Sequence, residues 1–322
     1  MPKPTNSFKQ FNYSLRPSKQ VERKVMIEIL LGLSRAGFNV MDYRYLGFGS
    51  PYYVDFVMFH KYLFMRRMVC VEWGEVERRM RFNKPFRFIK LELKSMAAHI
   101  PNINARQKLL AWLDYDRSLD LEMVRDMGDI ATRLAPKSIL IITVDARPML
   151  PKDDFPDRDS LSSSGRERLT LGVYRNWFGA YVEGPIEREM VSRFHVSPLF
   201  YEVIVERIRR SLAPRELQFL QFFNYFYSDG APMLTVGGLI GTSEDAQALA
   251  QSGVLNHRFV RRGKDYLEIS VPPLTMREKN WLDSRLYGKV RSSDLRFELE
   301  DELLQNYCRF YKEYPTYLET LL

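Results

Sequence analysis

Apolar and polar positions along this chain follow two different periods. After Pro17, the stretch KQVERKVMIEILLGLSRAG places Val21, Val25, Met26, Ile29, Leu30 and Leu33 at helical intervals. Ser18 is the expected cap of that helix and Gly37 its expected stop. Strand-sized apolar runs then recur: DYRYLGFGS (42–50), RRMVCVEW (66–73), FRFIKLEL (86–93), KLLAWLDYD (108–116) and SILIITVDAR (138–147). Helical stretches separate them. PYYVDFVMFHKYL has Pro51 at its expected first position, GEVERRMRFNK is charged, and LEMVRDMGDIATRLAPKS has Asp116 or Ser118 as its expected cap. The fifth run is continuously aliphatic, as a strand covered on both faces should be. Strands alternating with helices at this spacing predict an α/β fold, a parallel sheet wound by right-handed crossovers.

Residues 151–168, PKDDFPDRDSLSSSGRER, read as a loop, and 170–212 as mainly helical, including FYEVIVERIRRSL. Two strands follow, Leu217–Ser228 and Pro232–Gly241, joined by Asp229–Gly230, a hairpin signal. RFVRRGKDYLEISV is expected to form a second hairpin, and the chain from Leu274 onward to be helical, with Thr275 as a cap ahead of Glu278. This divides the chain into an N-terminal helical segment (1–41), an α/β domain (42–242) carrying an insertion (151–212), and a C-terminal α+β extension (243–322).

Composition narrows the chemistry. Two cysteines and four histidines in 322 residues do not supply a disulfide framework or a cysteine-ligated metal site, and no metal is expected. His60, His99, His195 and His257 form no ligand-spaced pair, and His60, inside an apolar helix, reads as structural. The absence of a signal-like start or a membrane-length apolar run points to a cytoplasmic protein with no membrane partner. Lys and Arg number 48 against 40 Asp and Glu, a net +8, which fits either simple solubility or an anionic partner such as nucleic acid. VERIRR (205–210) and HRFVRRGK (257–264) set cations near aromatics, the combination that nucleic-acid surfaces use. No GxSxG elbow or Walker loop is present, which argues against a hydrolase.

The strand ends carry the candidate chemistry. In LGFGS, Gly47 and Gly49 let the backbone approach a ligand closely, or form only a tight turn. Glu72 ends the second strand, and its carboxylate offers two acceptors suited to a vicinal diol; a surface carboxylate is the plainer reading. Trp73 beside it is either a ring platform or a core indole. The third strand ends in Glu92, Lys94 and Ser95, and the fourth in Asp114, Tyr115 and Asp116. Asp145 and Arg147 close the row, as site residues or as a pair that holds the loop. Side chains at the carboxyl ends of parallel strands converge on one crevice.

This order of elements resembles the class I S-adenosylmethionine (SAM) dependent methyltransferases, a Rossmann-like fold of five βα units closed by a sixth strand and a reversed seventh. The resemblance covers Asp42 to Gly241, and the whole chain is similar to a bacterial group labelled as O-methyltransferases. It implies SAM as the cofactor. Gly47, Phe48, Gly49 and Ser50 would form the cofactor turn, Glu72 would hold the ribose, Trp73 would face adenine and Glu92 would lie in the adenine loop. It also implies a polar role for Asp114 toward the methionine amino group or the acceptor, a substrate wall at Tyr115, and a general base at Asp116 if burial raises its pKa. The glycine motif is short, and the Pro-Pro that follows this Asp in many nitrogen methyltransferases is missing. The acceptor is then an oxygen or nitrogen, on nucleic acid, a nucleotide or another molecule. The alternative is a non-catalytic sensor or scaffold that binds a protein or nucleic acid. Ahead of the first strand, NYSLRPSKQVER sets Tyr13, Arg16 and Lys19 near Glu22 and Arg23. These residues either fold over the crevice or, on the reading the pattern favours, form a solvated helix face with one salt bridge.

Overall fold

A computed structural model describes residues 16–72, 77–152, 154–193, 195–286 and 290–315. Its single sheet contains β1 (Arg44–Phe48), β2 (Met68–Glu72), β3 (Ile89–Leu93), β4 (Leu109–Ser118), β5 (Ile139–Asp145), β6 (Gln218–Ser228), β7 (Pro232–Gly241) and β8 (Leu267–Ile269). The spatial order is β3-β2-β1-β4-β5-β7-β6-β8. β1 to β5 pair in parallel. β7 inserts between β5 and β6 and runs against both. This is the Rossmann-like methyltransferase sheet, with the expected hairpin closing it.

The helices are α1 (Pro17–Leu33), α2 (Val54–Leu63), α3 (Glu77–Asn83), α4 (Met96–His99), α5 (Leu121–Arg133), α6 (Ser163–Phe178), α7 (Val196–Leu212), α8 (Ser243–Gln251), α9 (Met276–Asp283) and α10 (Asp301–Phe310). Alternation along the strands sends their side chains into two cores. One joins α1 and α2 to Tyr45, Trp112, Ile141 and Phe223 of the sheet, and also takes in Leu304, Tyr307 and Phe310 of α10. The other joins α5 and α7 to Leu113, Ile142 and Val236.

Several expected local signals are replaced by tertiary ones. Ser18 does not cap α1. The helix opens at Pro17, and the Asp229 carboxylate in the β6–β7 turn accepts from Ser18 N (3.1 Å) and Lys19 N (2.8 Å). Gly230, at φ 104°, supplies the left-handed step that makes this turn. Pro51 lies in a turn before α2 rather than at its first position. Tyr53 takes a left-handed φ of 48° there, and its buried hydroxyl donates to Met80 O (3.0 Å). α5 is capped by Asp120, which accepts from Met123 N (2.9 Å), and not by Asp116 or Ser118, which belong to β4. The second expected hairpin is absent. β8 alone forms, parallel to β6, because Gln221 and Asn224 side chains hold the carbonyls of Arg261, Gly263 and Lys264 as a loop. Thr275 and Glu278 do form a reciprocal cap on α9.

The segment after α10 docks on α1, where Lys24 Nζ donates to Tyr314 O (3.2 Å), and on the loop before β8. Arg258 Nη2 lies 3.2 Å from Glu313 Oε1, and His257 Nε2 lies 3.5 Å from Glu28 Oε2. Burial and a shared hydrogen bond with Glu28 push the Glu313 carboxyl up to about 7. A carboxyl raised by folding holds its proton longer in the native state, so stability falls as pH climbs from the unfolded value toward 7. Urea titrations between pH 4.5 and 8 should show that fall in the native chain, and Glu313→Gln should flatten it. An unchanged slope in the variant would contradict the docking.

Candidate functional site

The carboxyl ends of the strands assemble one polar rung. Gly47 pairs with Cys70 on one side and Trp112 on the other. Two residues further on, and therefore on the same face, lie Gly49, Glu72 and Asp114. Asp114 pairs with Thr143, Thr143 with Thr235, and Thr235 with Tyr225. The sequence thus brings Glu72, Gly49 and Asp114 to one level on adjacent strands, the two carboxylate residues about 10 Å apart at usual strand spacing.

The glycines serve this rung by close packing. Neither has a positive φ. A Cβ on Gly47 would overlap the Tyr45 hydroxyl, and one on Gly49 would overlap Cys70 Sγ and the Met80 methyl. The Gly49 Cβ position lies 3.6 Å from Glu72 Oε2, so that carboxylate reaches back along the β1 turn. Ser50 closes the turn: its hydroxyl accepts from Tyr52 N and its carbonyl from Tyr53 N.

α1 lies across the other half of the rung. Lys19 (1 % exposed), Glu22 (0 %) and Arg23 (2 %) are buried, which corrects the solvated face that the pattern favoured. Lys19 Nζ sits 2.9 Å from both Glu22 Oε2 and Asp114 Oδ1, and 4.4 Å above the Trp112 ring. The Trp112 indole donates to Thr143 Oγ1 (2.9 Å), Thr143 and Thr235 share a hydrogen bond (2.8 Å), and the Thr235 hydroxyl donates to Glu22 Oε1. Burial raises the Glu22 pKa, and the Asp114 charge adds to that against the pull of Lys19. Arg23 Nε reaches Asp55 of α2 at 2.5 Å. Sequence reasoning missed Thr143, Thr235 and Asp55; only the i, i+3 spacing of Lys19 and Glu22 pointed here.

Other expected residues are placed elsewhere. Tyr115 points to the opposite face, where its hydroxyl donates to Asp126 (3.0 Å) and its ring meets that of Phe48. Asp116 is exposed, so the burial that a general base needs there is absent. Glu92 pairs in register with Val71, on the face opposite Glu72. Burial works against its charge, but Lys90, Lys94 and His99 outweigh it and hold the carboxylate at about 2. It borders a cavity of about 80 Å³ with Arg44 and His99, away from the rung. Asp145 and Arg147 form a two-pronged pair within their own loop, so the loop-holding reading is the one observed. His60 is structural: Nδ1 contacts Met65 O and the ring packs on Phe86 and Phe88. Arg16 precedes α1 and is half-buried. Tyr13 and Trp73 lie outside the described residues.

In the basic clusters picked from the sequence three arginines are held by the chain, while Arg209, Arg210, Arg262 and Lys264 are exposed. Arg207 donates to Val124 O over Gly128, Arg258 pairs with Glu313, and Arg261 bonds the carbonyls of Arg258 and Val260. Among the described residues no cluster of His, Cys, Asp and Glu could hold a metal ion, and no helix is long and apolar enough to cross a membrane.

The strand order is that of a class I methyltransferase fold. Within that class, the chain belongs to the family described as "Putative O-methyltransferase", whose model matches residues 11–322. No curated protein matches it. Among solved structures, Trm1 from Pyrococcus horikoshii, in complex with S-adenosyl-L-methionine, is 11% identical (TM-score 0.41; 71% of this chain, 57% of that one). The N-methyltransferase NodS from Bradyrhizobium japonicum is 11% identical (TM-score 0.35; 69% and 97%). A putative caffeoyl-CoA O-methyltransferase from Staphylococcus aureus is also 11% identical (TM-score 0.34; 66% and 83%).

The buried charge cluster sets a measurable cost. Lys19→Met leaves Glu22 and Asp114 without their shared cation, and should lower the unfolding free energy by about 3–5 kcal/mol in urea titration. Lys19→Met with Glu22→Gln should recover part of that loss. A single-variant loss below about 1 kcal/mol, the range of exposed pairs, would contradict the buried pairing.

Proposed function

We propose that the protein transfers a methyl group from SAM to an oxygen or nitrogen acceptor, with oxygen the better match to the family and to the missing Pro-Pro. The observation that carries this reading is the convergence of Gly49, Glu72 and Asp114 on one rung and one face of β1, β2 and β4. The donor set fits an adenosyl amino acid. The Glu72 carboxylate suits the ribose diol, the half-buried Asp114 suits the ammonium, and the turn Gly47, Phe48, Gly49 and Ser50 carries the backbone past both. Trp73, next to Glu72 in sequence, would face the adenine. SAM supplies an activated sulfonium methyl, so alignment and exclusion of water make up most of the protein's task.

Lys19 keeps Asp114 oriented beside the cofactor, as a positioning residue. Tyr115 supports the site from the opposite face, through Phe48 at the turn. In this reading the insertion 151–212 covers the acceptor within a 42–242 domain, flanked by the segments 1–41 and 243–322. Free thiols at Cys70 and Cys308 fit a cytoplasmic setting. A second reading, a non-catalytic sensor, draws on the side chains of α1 that occupy the β4–β7 half of the rung.

Calorimetric titration of the full chain with SAM tests the proposal. Saturable binding at one site is expected, weakened about tenfold or more by Glu72→Ala, since a hydrogen bond to a charged group contributes about 1.5–3 kcal/mol. No heat of binding, or an unchanged affinity in the variant, would overturn it.

A further inference from the structure

The opposite edge of the sheet has the opposite chemistry. Cations stand at the amino-terminal starts of adjacent strands: Arg87 just before β3, Arg67 before β2, Arg44 opening β1 and Lys108 before β4. The backbone locks this row together, with Tyr45 N donating to Arg67 O (2.8 Å) and Arg44 N to Lys108 O (3.1 Å). An open cleft of about 510 Å³ lies here, lined by Arg67, Arg106 and Lys108, by the amides of Asn104 and Gln107, and by a single acid, Asp42. Among the described residues, Arg66, Arg67, Arg87, Arg106 and Lys108 make no ion pair. Residues 61–90 carry nine Lys and Arg against three Glu, so these thirty positions hold most of the net +8.

Exposed aromatic rings stand on the same edge of the sheet, in the stretches that lead into β2 and β3. Phe64 (64 % exposed) shares a linker with Arg66 and Arg67, and Phe82 (88 % exposed) lies in the last turn of α3. Phe88 is exposed and stacks on Phe86 at 5.0 Å and 10°. Because Ile89 pairs with Met68, Phe88 stands beside Arg67. Exposed phenylalanines are costly to leave in water without a partner, and their number in one basic region calls for a ligand with both charge and flat apolar faces.

The geometry points to a binding site for single-stranded nucleic acid along this amino-terminal edge, phosphates in the Arg67–Arg106–Lys108 cleft and unpaired bases on Phe64, Phe82 and Phe88. Backbone-tracking cations combined with stacking rings are how single strands are held without sequence reading. A duplex, whose bases are already stacked, uses the cations only. The site is distinct from the crevice at the carboxyl ends and does not depend on methyl transfer there.

Fluorescence anisotropy of the full chain with a fluorescein-labelled 12-nucleotide oligouridine or oligothymidine tests this. Saturable binding should weaken with salt, at a log–log slope of about −0.7 per phosphate contacted. R67E/R106E/K108E should lower affinity at least tenfold, and Phe64→Ala with Phe82→Ala about fivefold or more. Both should keep the native melting profile and the native response to SAM. Binding that is absent at low salt, or indifferent to the ring variants, would overturn the site. Equal affinity for polyglutamate or for a duplex would overturn it too, and would assign the edge to an acidic protein or to paired nucleic acid.

Discussion

Lys19 is the contact on which the arrangement of the crevice depends. Its ammonium is out of water, and two carboxylates from different elements, Glu22 of α1 and Asp114 of β4, compensate it at 2.9 Å. Removing such charges from water costs several kcal/mol each, so they are tolerated only where partner geometry is closely met. A buried triad of this kind fixes register more than it adds stability. α1 cannot rotate or slide on the sheet without stranding a charge. The Asp229 cap at its first turn and the Arg23–Asp55 pair at its second make the same demand from two other directions. Asp114 consequently stands beside Gly49 and Glu72 with one oxygen committed and its carboxylate half-buried.

Much of the fold was legible because the strands are short apolar runs with acids or glycines at their ends, and that pattern depends on local chemistry. β1, β2, β4 and β5 fall where the runs predict them, and the Asp229–Gly230 turn closes the reversed strand as expected. The rung was legible for the same reason, since residues at strand ends gather at one edge whatever the details of packing. The burial of α1 was not. Lys19, Glu22 and Arg23 read as a solvated face because their compensating partners are distant in sequence; Asp114 is 95 residues away from Lys19. Nor does an Asp in a hairpin turn announce that it will cap a helix more than 200 residues earlier. The resemblance assigns Tyr115 and Glu92 to the crevice, whereas strand alternation sends their side chains to the other face.

The two edges of the sheet divide the charge of the molecule. Acids close the strands at the carboxyl edge, and cations open them at the amino edge. A parallel sheet gives every strand the same direction, so a bias in the residues that start and end each strand becomes a bias between two surfaces. The modest net charge of the chain conceals this separation, which no single basic run in the sequence announces.

The most direct test of the crevice is a crystal structure of the protein soaked with S-adenosylhomocysteine. The ribose hydroxyls should lie within hydrogen-bond distance of the Glu72 carboxylate, with the amino group on the Asp114 side and the chain of α1 unmoved. Adenosyl density at any other place, or α1 displaced from Asp114 to admit the ligand, would contradict a crevice built on this rung.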